Sequence, residues 1–172
     1  MKKTIVFSTI FLTLVLVSAY AKALYNQEDF AKIAITTNDI PEGFIIGKIP
    51  RVAQEVLKDN PWTFDTQAIK KLTERIYPDG DYRKVANVHM TILADEKKPY
   101  NDNIVCYVIL YKDMKSAKDE LKKLNNYVSF NTDRAVVLSR DNMVIFLHSD
   151  DVADFHHVQD MAASIGSKLK SL

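Results

Sequence analysis

Cysteine is nearly absent from this chain of 172 residues, and Cys106 is the single one. A lone thiol forms no internal disulfide, so stability must come from a hydrophobic core rather than from cross-links. Cys106 lies within an apolar run at positions 104–110. That setting predicts a buried small hydrophobic residue, since a reactive thiol needs exposure and a positive neighbour.

Glycine is also scarce, with four residues in the whole chain. Gly43 and Gly47 precede Lys48, but the intervening loop is one residue too short for a phosphate-binding P-loop. Ile49 also stands where a magnesium-binding hydroxyl would be needed. The sequence contains no G-x-G-x-x-G, G-x-S-x-G, H-E-x-x-H or C-x-x-C motif. We therefore expect no cofactor.

A large charge of either sign is missing too, because the formal net charge is +1. Nucleic-acid binding depends on many Lys and Arg side chains facing phosphates, so a near-neutral chain argues against that partner. It also argues against a basic protein of the membrane surface. Asn-x-Ser/Thr glycosylation sites are absent, which favours a bacterial envelope protein over a eukaryotic secreted one.

What the chain does contain is an apolar N-terminus. Lys2 and Lys3 precede an apolar run from Ile5 to Ala21, and A-x-A patterns end at Ala21 and at Ala23. This order predicts a secretory signal peptide within residues 1–23, cleaved after Ala21 or Ala23. The alternative is an uncleaved anchor, for which the run is slightly short of the about 20 residues that span a bilayer.

Cleavage would leave residues 24–172 as a single α+β domain, with 21 or 20 basic residues against 22 acidic ones. We expect that product to be periplasmic or secreted and to have no membrane contact once the signal is removed.

The first half of this domain gives mixed signals. Residues 24–38 fit either a short helix after Asn26 or a short strand. A turn at 39–43 precedes an apolar patch at 44–46 that predicts an edge strand. Two helices are predicted next, one beginning at Pro50 and one capped by Asp65.

The second half is more regular. Alternation predicts a half-buried strand at 85–94, and a continuous apolar run predicts a central strand at 103–111. A helix capped by Asp113 or Ser116 follows. Residues 135–148 fit a hairpin turning at Asp141 and Asn142, before a final helix from about 151. The result is an α+β fold: an antiparallel sheet of at least four strands, built from two ββα units, with helices packed on it. Internal duplication and generic sheet construction both explain the repeated order.

The first candidate site is spatial. If Val88 faces the core, His89 and Thr91 face away from it, and Tyr107, Tyr111 and His148 share that other face if the strand register allows it. Aromatic residues with polar tips suit a binding surface. We therefore expect a ligand-binding face, unless the helices of residues 50–76 cover it; its candidate residues are His89, Thr91, Tyr107, Tyr111 and His148.

The second candidate is a metal site at His148, Asp150, His156 and His157, because imidazole and carboxylate are good metal ligands. The competing interpretation is that Asp151 caps the final helix and that the two adjacent histidines point in different directions. The charged stretch at 118–123 is predicted to be a solvated helix face.

These observations favour a non-enzymatic binding or interaction module of the bacterial envelope, whose partner is an unknown protein or small ligand. The alternatives are a metal-dependent hydrolase using the cluster at 148–157, and an envelope structural or assembly factor that associates through sheet edges.

Overall fold

The computed structural model describes residues 24–49, 51, 62–77 and 79–172. Within these residues six strands form one sheet in the order β1-β3-β4-β6-β5, and β2 pairs with β3 alongside β1. All pairings are antiparallel. The strands are β1 (Phe44–Ile46), β2 (Trp62–Thr63), β3 (Val85–Asp95), β4 (Ile104–Tyr111), β5 (Ala135–Arg140) and β6 (Met143–Ser149). The α-helices are α1 (Phe30–Ile33), α2 (Thr66–Ile76), α3 (Met114–Val128) and α4 (Phe155–Ser171).

Strand β4 lies at the centre of the sheet, between β3 and β6. All eight of its residues are buried. A strand covered on both faces needs apolar side chains on both, which is why its sequence is continuous rather than alternating. The prediction of a central strand at this position is confirmed.

Helices cover both faces of the sheet, which makes three layers. One face of the sheet, called the α3 face below, packs against α2 and α3. Its core includes Val88, Met90, Val105, Tyr107, Ile109, Tyr111, Val144 and Phe146. The α4 face packs against α1 and α4 through a core that includes Leu93, Ile104, Cys106, Val108, Leu110, Met143, Ile145 and Leu147. The predicted α+β class, with helices packed on an antiparallel sheet, is confirmed.

Aspartate side chains cap the N-termini of three helical segments. Asp65 accepts a bond from the N–H of Ala68 at 2.8 Å and so caps α2, as predicted. Asp113 rather than Ser116 caps α3, because its Oδ1 accepts from the N–H of Ser116 at 2.7 Å. Asp151 accepts from the N–H of Ala153 at 2.9 Å and starts a 3-10 turn, Val152–Asp154, that leads into α4.

The ambiguous segment at 24–38 contains the helix predicted after Asn26, as a 3-10 turn, Gln27–Asp29, that leads into α1. Asn26 accepts from the N–H of Glu28 at 2.8 Å, and Asp29 accepts from the N–H of Asn26 at 2.9 Å. These bonds satisfy the free N–H groups of a first turn, which continues as α1. The predicted helix from Pro50 and the predicted signal peptide lie outside the described residues. Among the described helices, none combines the length and apolar composition needed to cross a membrane.

The hairpin of β5 and β6 turns at Asp141 and Asn142, as predicted, with Asp141 at a φ of +54°. The chain order strand–strand–helix recurs from β3 to α3 and from β5 to α4. The hairpins β3–β4 and β5–β6 lie side by side, with β4 next to β6. The rotation that superposes one on the other is therefore a half-turn about the normal to the sheet, which does not exchange the two faces of the sheet. A duplicated unit would therefore place both helices on one face, whereas α3 and α4 lie on opposite faces. The packing favours generic sheet construction over duplication.

The prediction of a solvated face at 118–123 is wrong at Glu120, whose side chain is 0% exposed. Its carboxylate accepts from Tyr77 Oη at 2.8 Å and from the N–H of Asp81 at 3.0 Å, and it lies 2.9 Å from Lys123 Nζ. Burial raises the pKa of Glu120, but these bonds outweigh it and the net pKa is lowered. Glu120 follows Ala117 by three residues and precedes Leu124 by four, so it shares their inward stripe.

Candidate functional site

A cavity of 180 Å³ lies on the α3 face, where α2, α3 and the sheet meet. Its buried lining comes mainly from the sheet, and its exposed members mark the opening. The lining residues are Ile76, Asp102, Val105, Tyr107, Tyr127, Asn131, Arg134, Ala135, Phe146, His148 and Asp150.

The opening lies at one end of the sheet. Because the strands are antiparallel, this end holds the loop between β3 and β4, the loop that enters β5 and the loop that leaves β6. Main-chain bonds join these loops. The N–H of Asp150 donates to the carbonyl of Asn103 at 3.0 Å, and that of Ser149 donates to the carbonyl of Arg134 at 2.9 Å. A guanidinium nitrogen of Arg134 donates to the carbonyl of Asp150 at 3.2 Å. These bonds hold the loops around the opening, here called the mouth, in place without a ligand.

A cluster of three rings forms the base of the cavity. Tyr107 and Phe146 are opposite each other on β4 and β6, and His148 follows Phe146 by two residues on the same face. The ring centroids of Tyr107 and Phe146 lie 6.0 Å apart at 10°, and those of Phe146 and His148 lie 5.3 Å apart at 30°. The ring centroids of Tyr107 and His148 lie 6.0 Å apart as well, so the three near-parallel rings form a compact cluster that carries a phenol hydroxyl and an imidazole.

The mouth carries more negative than positive charge. Asp102 and Asp150 are exposed there, and neither has an ion pair among the described residues. The single guanidinium, that of Arg134, lies 3.5 Å from the carboxylate of Asp133. The positive charge of Arg134 is therefore partly neutralised by Asp133, which is not part of the cavity lining.

The register between β3 and β4 divides the predicted ligand-binding residues. Met90 is opposite Tyr107, and Thr91 is opposite Cys106. Tyr107, Tyr111 and His148 therefore lie on the α3 face, and His89 and Thr91 lie on the α4 face. The prediction that all five share one surface is wrong, because facing residues on paired strands point to the same side.

His89 and Thr91 face the layer of α1 and α4. The ring of His89 lies 5.4 Å from that of Phe30, and burial lowers the pKa of His89. Thr91 is also buried. Strand β3 was predicted to be half-buried, but Phe30 of α1 packs against His89 on its second face, where Leu93 is also fully buried.

Tyr111 also lies away from the cavity opening. Its hydroxyl is 3.2 Å from that of Tyr77, in the buried network around Glu120. Burial raises the pKa of Tyr111. Of the five predicted binding residues, Tyr107 and His148 line the cavity.

The sheet separates the predicted metal ligands. His148 lies on the α3 face, whereas His156 and His157 belong to α4 on the opposite side. His157 packs against Phe44 with centroids 5.2 Å apart, and Nδ1 of His156 lies 2.9 Å from the carbonyl oxygen of Ala153. Within the part of the chain that the structure describes, no three His, Cys, Asp or Glu side chains are grouped to hold a metal ion. The four predicted ligands are not brought together.

Sequence reasoning missed Phe146, Tyr127 and Arg134. Phe146 could have been found, because it lies two residues before His148 in a strand and must share its face. Tyr127 follows the buried Leu124 by three residues on α3, a spacing that also predicts a shared face. Arg134 carries no local signal, since a loop residue shows no periodicity.

Comparisons of this chain with models of known protein families, with curated proteins and with solved structures find no match.

Proposed function

We propose that this protein is an exported, non-enzymatic binding module, periplasmic or secreted, that takes a small ligand in the cavity on the α3 face. One observation carries the proposal: a 180 Å³ cavity has a base of near-parallel rings and a polar mouth. An apolar cavity of about 150 Å³ holds one benzene molecule. The space therefore fits a ligand of about one ring in size.

The distribution of polar groups supports binding. Tyr107 and Phe146 supply buried ring surface, and Asn131, Arg134 and Asp150 supply donors and acceptors nearer the solvent. Small-molecule sites combine an apolar lining with a few converging polar groups of this kind. The bonds across the mouth hold those groups in position before binding, which limits the entropy lost when a ligand enters.

The proposal of export rests on the charged and apolar N-terminus with its A-x-A patterns, and the predicted cleavage sites lie before the first bonds of the domain. The N–H of Tyr25 donates to Asn142 Oδ1 at 2.9 Å, and its carbonyl accepts from Asn142 Nδ2 at 3.1 Å. Cleavage after Ala21 or Ala23 keeps Tyr25 and these bonds. We expect Edman sequencing of the protein from its source to begin at Lys22 or Leu24. Recovery of an intact Met1 in the cytosol would contradict export.

Ligand binding is tested with two histidines on opposite faces of one sheet. Native mass spectrometry of the protein recovered from its source compartment is expected to show a bound small molecule that is released on denaturation. His148→Ala is expected to lose that mass, because His148 lines the cavity. His89→Ala is the matched control and should keep it. Equal retention by both variants, with both folded, would contradict the proposal.

A second candidate, an envelope assembly factor, is favoured by β5. This strand forms one edge of the sheet among the described residues, and Val136, Val137 and Leu138 on it are half-buried. Exposed edges of this composition pair with other strands. Light scattering at several concentrations is expected to show association if this function holds, and a monomer throughout removes it. The metal-dependent hydrolase has no comparable supporting observation.

A further inference from the structure

We propose that the ligand of the α3-face cavity is a small organic cation of the quaternary ammonium class. This inference rests on the proposed binding function and narrows it to one chemical class. It follows from two features that meet at one place: the cluster of rings at the base, and an excess of carboxylates at the mouth.

The rings supply the first half of the recognition. An aromatic face is the negative part of the ring quadrupole, and it attracts a cation within about 6 Å of the centroid. Tyr107, Phe146 and His148 lie with centroids 5.3 to 6.0 Å apart, so one compact cation reaches more than one ring. Tyr127 adds a fourth ring to the lining. A methylated ammonium also gains from apolar burial, because its charge is spread over carbon-bound hydrogens.

The mouth supplies the second half. Asp102 and Asp150 bring two negative charges, and Arg134 brings one positive charge that already faces Asp133 at 3.5 Å. Apart from His148, the lining residues that the structure describes therefore carry a net charge of −1. In a partly enclosed site this charge attracts a cation more strongly than it would in open solvent.

Size is consistent with the same class. A trimethylammonium group is similar in size to a benzene ring, and the cavity of 180 Å³ exceeds the about 150 Å³ that holds benzene. A short polar arm on the cation would extend towards Asn131 and Asp150. The main competitor is a small carboxylate bound to Arg134, which would have to displace Asp133 and approach Asp102 and Asp150 against their charge.

The test uses three molecules of the same shape and different charge: choline, its neutral isostere 3,3-dimethylbutan-1-ol, and the anion 3,3-dimethylbutyrate. Each is titrated into isotopically labelled protein obtained by expressing the full chain, and the amide shifts of Phe146 and Asp150 are followed. We expect choline to bind at least about fivefold more tightly than the neutral isostere. The anion is expected to bind most weakly.

A charge variant separates recognition from folding. The double variant Asp102→Asn and Asp150→Asn keeps side-chain shape and changes only exposed residues. We expect it to weaken the binding of choline about fivefold and to leave the binding of the neutral isostere unchanged. The pair Glu42→Gln and Asp160→Asn, exposed on the α4 side, is the matched control and should bind choline as the parent does.

Four results would overturn the cation assignment or the role of the carboxylates in it. If the neutral isostere binds as tightly as choline, or the anion binds more tightly, the cavity remains a ligand site and only the charge class is wrong. If the carboxylate variant binds choline unchanged, the role of the mouth is wrong. If none of the three molecules shifts the cavity amides, the cation class is wrong, and the histidine pair then decides the proposed function independently.

Discussion

The carboxylate of Asp39 lies 2.5 Å from Nζ of Lys168, and this ion pair joins the 3-10 turn Thr37–Asp39 to the end of α4. The side chain of Asp39 is 3% exposed. It also accepts from Ser164 Oγ at 2.5 Å and from the N–H of Thr36 at 2.6 Å. Lys168 Nζ donates in addition to the carbonyl of Ala34 at 2.9 Å. One buried carboxylate therefore fixes the N-terminal segment over the α4 face.

Breaking this pair from one side should destabilise the protein strongly. Asp39→Asn leaves Lys168 without its charged partner, and we expect the free energy of unfolding to fall by about 2–4 kcal/mol. Lys168→Met should cost a similar amount, since it leaves the buried carboxylate uncompensated. Urea denaturation followed by circular dichroism measures both.

The control for this pair is Lys32→Met, which removes an ion pair to Asp29 from a side chain that is 61% exposed. Exposed pairs contribute about 0–1 kcal/mol, so the free energy of unfolding should hardly change. Equal losses at Lys32 and Lys168 would show that the Asp39 bond has no special role.

The same carboxylate sets a dependence of stability on acid. Burial raises the pKa of Asp39, but the bonds from Lys168, Ser164 and Thr36 outweigh it, and the net pKa is well below its usual range. The unfolded chain, with an Asp pKa of about 3.9, then binds the proton more readily than the folded one. The stabilisation is complete above about pH 5 and is lost as the pH falls below that value. The lowered pKa of Glu120 acts in the same direction.

We therefore expect the free energy of unfolding to decrease steadily between pH 5 and pH 3. Asp39→Asn should show a shallower decrease over that range, since it lacks one of the groups that take up a proton on unfolding. Denaturant titrations at each pH provide the measurement. Parallel slopes for the parent and the variant would contradict the role assigned to Asp39.

The network around Glu120 lies on the α3 face, on the opposite side of the sheet from the Asp39 ion pair. Glu120→Gln removes the charge that faces Lys123 and Lys84 at 2.9 and 3.3 Å, and we expect a loss of about 1–3 kcal/mol. Tyr77→Phe removes one donor to the same carboxylate and should cost about 1 kcal/mol.

A double-mutant cycle of these two changes should give a coupling energy of at least about 0.5 kcal/mol, because the side chains touch. Asp119→Asn, next in sequence and half exposed at 48%, is the control and should stay within about 0.5 kcal/mol of the parent. Additive losses at Glu120 and Tyr77 would argue against a shared network.

Local sequence signals predicted the elements well. Asp65 and Asp113 marked helix starts because a carboxylate that satisfies free N–H groups is chemically specific. The apolar run of β4 and the turn at Asp141 and Asn142 located the central strand and the hairpin. These features depend on near neighbours in the chain, which is the information that a single sequence holds.

The pairing of distant strands was not readable in the same way. Which face Tyr107 shares with β3 depends on the β3–β4 register, and a shift of one residue moves every side chain to the other face. Because β4 is apolar on both sides, it offers no alternation to fix that register. His89 and Tyr107 were therefore grouped wrongly, and the cavity with Phe146 at its base was not found.

The most direct measurement of the central claim is a crystal structure of the protein purified, without refolding, from the compartment where it accumulates. The account predicts electron density for a small molecule enclosed by Tyr107, Phe146 and His148. Density for ordered water alone in that cavity, with a ligand bound on another surface, would contradict it.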